Sequence, residues 1–206
     1  MNRTLLARAS WIATAVALVG AGALSATPAG ATPPPSGNNL LKQSSFEMPV
    51  PSGDEQVFQP GQHIGRWQVS GQQVAVVVPD VVDGTGTQGM QFLSLNEPSQ
   101  PLPPTGTVCQ TVPLDPADRY ALAFSSADIV AAATLTVSWQ GSSVAAIDDP
   151  VSVVGNGTTW TRHRVKLGKA NGATSGTVCF GGTQGGYLLL DLVVIQPVVP
   201  VCRLAC

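Results

Sequence analysis

An acidic residue lies inside the most apolar segment of this 206-residue chain. The run Tyr187 to Ile195 is apolar on both faces, which predicts a strand at the centre of a sheet with both faces covered. Asp191 lies within that run. A carboxylate buried there costs several kcal/mol unless it is paired or bound to a cation. Its partner is either a backbone N–H group, a basic side chain such as Lys42, or a metal ion.

A sugar-binding surface is a second kind of chemistry that the sequence allows. Such a surface combines an aromatic ring, which packs on a sugar face, with amides and charged groups that bind hydroxyls. Trp139 has the strand parity of Leu135 and Val137, and Trp67 has that of Val69, so we expect both tryptophans in the core. The aromatic residues considered for this role are Phe58, Trp67, Trp139, Trp160 and Tyr187.

Two groups of residues are predicted to contact a ligand. His63, Arg66 and Gln68 flank Trp67 and are expected to line a pocket. Trp160 has the parity of two following arginines and is expected to be partly exposed. The predicted ligand-binding residues are therefore His63, Arg66, Gln68, Trp160, Arg162 and Arg164.

A basic stripe follows from the same parity. Arg162, Arg164 and Lys166 share one face of a predicted strand, where they could dock an acidic polysaccharide such as a uronate polymer. An ordinary solvated strand face explains the pattern as well, and we favour that interpretation.

Catalysis has little support in the sequence. Hydrolysis of sugars needs two carboxylates at a defined separation. A serine hydrolase needs a G-x-S-x-G elbow and a partner histidine, but the motif is missing and the two histidines are His63 and His163. We therefore expect no enzyme. Most acidic residues lie in turn-like contexts, namely Asp54, Asp83, Asp115, Asp118, Asp148 and Asp149.

Four cysteines predict two disulfides, for which three pairings are possible. Cys109 and Cys179 lie in strand-like sequences, whereas Cys202 and Cys206 flank three residues near the C-terminus. We favour Cys109–Cys179 and Cys202–Cys206. A zinc site is the rival interpretation, but the chain has no Cys-x-x-Cys pair and few histidines.

Residues 1–31 have the plan of a secretory signal peptide. Arg3 and Arg8 provide the positive start, Trp11 to Leu24 is apolar, and Ala29-Gly30-Ala31 is a small-residue cleavage site. The apolar run is shorter than the roughly 20 residues of a spanning helix. No second stretch of spanning length follows, so we expect a soluble protein that is secreted.

The charge balance argues against nucleic acid as a partner. The signal holds two of the ten basic residues and none of the 12 acidic ones, which leaves eight basic residues and a net charge of −4. Binding to phosphates needs clustered Lys and Arg.

The rest of the chain is predicted to be one all-β domain. Only 11% of residues are charged. Short alternating or β-branched runs are separated by Gly, Pro and Asp turns, which indicates eight or more strands in a β-sandwich. The predicted organisation is a Pro-rich linker at 32–37, the sandwich at 38–197, and a tail at 198–206 with its own disulfide.

Four ordered stretches carry a family resemblance. They are Asn38 to Pro49, Ile64 to Val77, Gly89 to Glu97 with Gly106 to Val112, and Trp160 to Leu167 with Leu188 to Ile195. In this order they resemble the bacterial DUF642 and choice-of-anchor C families. The resemblance implies a galactose-binding-like jelly roll, similar to carbohydrate-binding modules. It also implies release from the cell or non-covalent retention at the wall.

The resemblance further implies a site and a function. A structural calcium in such folds lies between the opening F-E motif and the acidic residue of the last strand, which here are Glu47 and Asp191. Two positions depart from the family pattern, Ser94 and Leu192, where Asp and Asn are usual. The implied function is that of a monomeric, non-catalytic module that binds a cell-wall or environmental polysaccharide. An extracellular adhesion or envelope-associated protein that binds another protein is the alternative, and a hydrolase comes third.

Overall fold

The computed structural model describes residues 39–78, 90–96, 105–129, 132–149, 151–152, 158–183 and 186–198. These residues form strands and contain no helix. The strands are β1 (Glu55–Phe58), β2 (His63–Ile64), β3 (Trp67–Ser70), β4 (Val74–Val77), β5 (Phe92–Ser94), β6 (Thr107–Pro113), β7 (Arg119–Ile129), β8 (Thr134–Trp139), β9 (Ser142–Asp148), β10 (Val151–Ser152), β11 (Thr161–Lys169), β12 (Ser175–Gly182) and β13 (Tyr187–Pro197).

The strands make two sheets. A seven-stranded sheet has the order β1-β4-β5-β13-β7, and both β10 and β11 pair with the other side of β7. A six-stranded sheet has the order β2-β3-β6-β12-β8-β9. Neighbouring strands are antiparallel, except that β10 is parallel to β7. This architecture confirms the predicted class, an all-β jelly-roll sandwich.

The main hydrophobic core lies between the two sheets. Trp67 is fully buried there, with its ring centroid 5.5 Å from that of Phe46 and 6.1 Å from that of Phe180. Trp139 on β8 is 5% exposed and joins the same core. The inward orientation predicted for both tryptophans is confirmed, so neither ring is available to a ligand.

A second apolar layer covers the outer face of the seven-stranded sheet. On β13, Leu190 belongs to the core between the sheets, whereas Leu189 belongs to this outer layer. β13 is therefore the predicted central strand with both faces covered. The buried residues of the outer layer are Ala75, Val77, Phe92, Ala127, Ile129 and Leu189.

The segment 39–44 is hydrogen-bonded to β13 beyond the end of β5. β5 pairs with β13 at Leu189 and Leu190. Farther along β13, Leu40 donates its N–H to the carbonyl of Ile195 at 2.9 Å, and Val193 donates to the carbonyl of Ser44 at 2.8 Å. These bonds fix the opening segment against the sandwich, close to the site described below.

Several predictions fall on residues outside those described. They are the signal peptide at 1–31, the linker at 32–37 and the disulfide Cys202–Cys206, so secretion stays a prediction. Within the described ranges, no helix has the length and apolar character needed to cross a membrane.

Candidate functional site

A groove of about 670 Å³ opens on the six-stranded sheet. The opening segment, the β2–β3 hairpin and the neighbouring strands β6 and β12 all contribute to it. Its described lining residues are Asn39, Leu40, Lys42, His63, Gly65, Arg66, Gln68, Cys109, Gln110, Thr111, Pro113 and Thr177. Three of the predicted ligand-binding residues, His63, Arg66 and Gln68, thus lie in one groove.

The β2–β3 hairpin positions these three side chains. Ile64 pairs with Trp67, which leaves a two-residue turn of Gly65 and Arg66. Gly65 has a positive φ, as the first central position of a type II′ turn requires. A Cβ at this glycine would overlap with Oε1 of Gln43, so a larger residue would displace the Gln43 side chain from its hydrogen bond with Arg66.

Backbone contacts hold the opening segment against the hairpin. Oε1 of Gln43 accepts the N–H of Arg66 at 2.9 Å, and the indole N–H of Trp67 donates to the carbonyl of Gln43 at 3.2 Å. On the other side, Oε1 of Gln110 accepts the N–H of Lys42 at 2.9 Å, and Nε2 of Gln110 donates to the Lys42 carbonyl at 3.0 Å. Gln110 is only 4% exposed, so we regard it as a positioning residue that the sequence alone did not reveal.

Cross-strand pairs form the floor of the groove. Cys109 of β6 lies opposite Cys179 of β12, and the two form the predicted disulfide. Next along the same strands, the hydroxyls of Thr111 and Thr177 are 2.7 Å apart. Gln68 of β3 is exposed and pairs with Cys109 across the edge of β6 that faces away from β12. The floor therefore presents hydroxyls and an amide beside a covalent bridge.

The described lining of the groove is polar and partly cationic. None of the described lining residues is acidic. None is Phe, Tyr or Trp either, and the imidazole of His63 is the one aromatic side chain among them. What the groove offers is a set of hydrogen-bond donors and acceptors together with the cationic side chains of Lys42 and Arg66.

The other predicted ligand-binding residues lie on the opposite sheet. Trp160 is half-buried, and its ring packs edge-on against Phe92 in the outer apolar layer, with centroids 5.6 Å apart. Arg162, Arg164 and Lys166 are exposed on β11, at the edge of the seven-stranded sheet. The structure therefore does not bring this group together with His63, Arg66 and Gln68.

The two carboxylates implied for calcium each accept backbone N–H groups. Glu47 receives the N–H of Met90 at 3.1 Å and that of Gln91 at 3.2 Å. Asp191 is fully buried, and its Oδ1 receives the N–H of Leu192 at 2.7 Å. No group of three or more His, Cys, Asp or Glu suited to a metal occurs among the described residues. Calcium at Glu47 and Asp191 stays a prediction of the resemblance.

A buried polar cluster lies between the sheets, where sequence reasoning did not place one. The hydroxyl of Ser126 donates to Asp149, and Nε2 of His163 lies 3.1 Å from Oδ1 of Asp149 without the alignment of a hydrogen bond. The serine hydroxyl thus bonds to the carboxylate and not to the imidazole.

Asp128, two residues from Ser126 on β7, has a pKa above its ordinary value. It is fully buried, its Oδ2 accepts the N–H of Ala133 at 3.1 Å, and its Oδ1 has no hydrogen-bond partner among the described residues. Burial raises the pKa of Asp128 to about 6, with smaller contributions from the charges of Asp149 and Asp148, while the bond from Ala133 lowers it.

Solved structures with related folds include an enzyme and binding modules. The Stig cyclase Fisc from Fischerella sp. TAU matches with a TM-score of 0.56 at 10% identity, over 78% of this chain and 97% of that chain. TmCBM61, solved in complex with β-1,4-galactotriose, matches with 0.48 at 21% identity, over 78% and 99%. The CBM22-1 xylan-binding domain of Paenibacillus barcinonensis Xyn10C matches with 0.44 at 18% identity, over 70% and 92%.

The match to the Stig cyclase, at a TM-score of 0.56, supports the fold and leaves the activity open, because one fold carries many functions. No protein family matches the sequence, and no curated protein matches it. The resemblance to DUF642 and choice-of-anchor C proteins therefore stays a prediction, whereas the jelly-roll sandwich is observed.

Proposed function

We propose that this chain is a secreted, non-catalytic module that binds a polysaccharide of the cell wall or the environment. The groove on the six-stranded sheet carries the proposal. It is open, and its exposed polar side chains come from strands, a tight turn and the opening segment, which hydrogen bonds hold in place. Preformed polar grooves lower the entropic cost of ordering side chains when a ligand binds.

The composition of the groove suits sugar hydroxyls. Gln68, Thr111 and Thr177 offer both donors and acceptors, as a hydroxyl-rich ligand requires. The two threonine hydroxyls already bond to each other, so their orientation is set before a ligand arrives. The disulfide beside them links β6 covalently to β12 and limits how far these two strands can separate.

Binding can be tested by comparing Gln68→Ala with wild type on soluble and insoluble polysaccharides. We expect the variant to lose about fivefold in affinity for the polysaccharide that wild type binds, because a neutral hydrogen bond contributes about 1 kcal/mol. Gln56→Ala is the matched control, since Gln56 is an exposed strand glutamine on β1 of the other sheet. Affinity gels and isothermal titration measure both variants.

Two outcomes would contradict the proposal. If wild type retains no polysaccharide, the module is not a glycan binder, and an extracellular protein partner becomes the better hypothesis. If Gln56→Ala loses as much affinity as Gln68→Ala, the glycan site is not this groove.

A further inference from the structure

The groove concentrates positive charge on a chain that is acidic overall. The formal net charge is −2 at pH 7. Even so, Lys42 and Arg66 both line the groove, and no Asp or Glu is among its described lining residues. A concave surface with charges of one sign attracts ligands of the opposite sign.

These charges are not used to hold the protein together. Lys42 and Arg66 are exposed, and neither forms an ion pair with a described residue. The contacts that build the groove wall involve their backbone groups, through Gln110 for Lys42 and through Gln43 for Arg66. The ammonium and guanidinium groups therefore remain available to a ligand while their main chains are fixed.

The imidazole of His63 is the one aromatic side chain among the described lining residues, which include no Phe, Tyr or Trp ring. A neutral sugar gains much of its affinity from packing against such a ring. Trp67, the nearest tryptophan in sequence, is fully buried in the core. Affinity in this groove is therefore expected to come mainly from charge and hydrogen bonds. A guanidinium group is suited to this because its fork of N–H donors matches the two oxygens of a carboxylate.

We propose, building on the function proposed above, that the polysaccharide is acidic and that its uronate carboxylates bind Lys42 and Arg66. The sugar hydroxyls bind Gln68, Thr111 and Thr177 on the floor. The site is thus distinct from the basic stripe of Arg162, Arg164 and Lys166, which lies on the other sheet and carries the same sign of charge.

The test compares glycans of equal length that differ in charge. Isothermal titration with oligogalacturonate, neutral β-1,4-galacto-oligosaccharide and a sulfated oligosaccharide is run at low and at physiological salt. We expect oligogalacturonate to bind at least about tenfold more tightly than the neutral sugar, and its affinity to fall as salt increases.

Charge variants locate the site. Lys42→Gln with Arg66→Gln keeps much of the side-chain length, and we expect it to weaken oligogalacturonate binding at least about tenfold, because two charge-assisted hydrogen bonds are removed. Arg119→Gln with Lys169→Gln removes the same charge from exposed positions on the other sheet and should change affinity less than about twofold. Melting temperatures confirm that both double variants are folded.

Each adverse outcome has its own meaning. Equal binding of the neutral sugar overturns the acidic class but leaves a glycan-binding groove. Tighter binding of the sulfated sugar overturns the carboxylate assignment. If affinity falls in Arg162→Gln with Arg164→Gln, and not in Lys42→Gln with Arg66→Gln, the site is not in the groove. If no glycan binds, the proposed function itself fails.

Discussion

Removing the Cys109–Cys179 disulfide is expected to lower the free energy of unfolding by about 4 kcal/mol. The two cysteines are far apart in the sequence, so in the unfolded chain their bond closes a long loop and reduces conformational entropy. In the folded protein they lie directly opposite each other on neighbouring strands. Urea unfolding of wild type and of Cys109→Ser with Cys179→Ser measures the difference.

A reductant provides the control for this prediction. The double-serine variant retains Cys202 and Cys206, so adding reductant to it shows what those two cysteines contribute. We expect reduced wild type and the double-serine variant to unfold at similar urea concentrations. A change below about 1 kcal/mol in the variant would contradict the loop-closure argument.

Asp128→Asn is expected to stabilise the protein at pH 7.5, by up to about 3 kcal/mol. Burial raises the pKa of Asp128 to about 6, well above its ordinary value of 3.8. Between these two pH values the folded state binds more protons than the unfolded state, so stability falls as the pH rises from about 4 to about 6 and stays lower above that range. An amide has no charge to bury and avoids this loss.

The measurement is the urea midpoint of both proteins from pH 4 to pH 8. Wild type should lose stability across this range, whereas Asp128→Asn should lose less, and the two curves should approach each other near pH 4. Asp54→Asn is the matched control because Asp54 is exposed. The account is contradicted if the asparagine variant is less stable than wild type at pH 7.5, or if the two curves stay parallel throughout.

The main strands and the core were largely predictable because they depend on side-chain parity. In β8 the alternation places Trp139 inward, and in β13 two apolar faces indicate a covered central strand. The end of β7, which continues to Ile129, was harder to predict. Its last residues include Ser126 and Asp128, whose polarity suggests a surface position in the sequence. Both are buried, because Ser126 bonds to Asp149 and Asp128 accepts the N–H of Ala133.

One strand, β9, has a local sequence that does not predict a strand. β9, Ser142–Asp148, is built from Ser, Ala, Val, Ile and Asp, so its composition resembles a loop. It is ordered by pairing with β8 at the edge of the six-stranded sheet, an effect of the assembled sheet that composition does not contain.

The groove was predictable only in part. His63, Arg66 and Gln68 were suspected because they flank Trp67 in the sequence, and one hairpin positions all three. Lys42, Thr111 and Thr177 reach the same groove through the register of β6 with β12 and through the hydrogen bonds of Gln110. Strand register between distant segments is set by tertiary packing, so no local pattern could have indicated these residues.

Amide chemical-shift mapping with oligogalacturonate tests the central claim most directly, since it locates the ligand without altering the protein. Binding in the groove predicts that the largest shifts occur at Lys42, in residues 63–68 of the hairpin, and on the floor at 109–111 and Thr177. The amides of β11, Thr161–Lys169, should stay unchanged. Shifts concentrated on β11, or no saturable shifts anywhere, would contradict the assignment of this groove as the polysaccharide site.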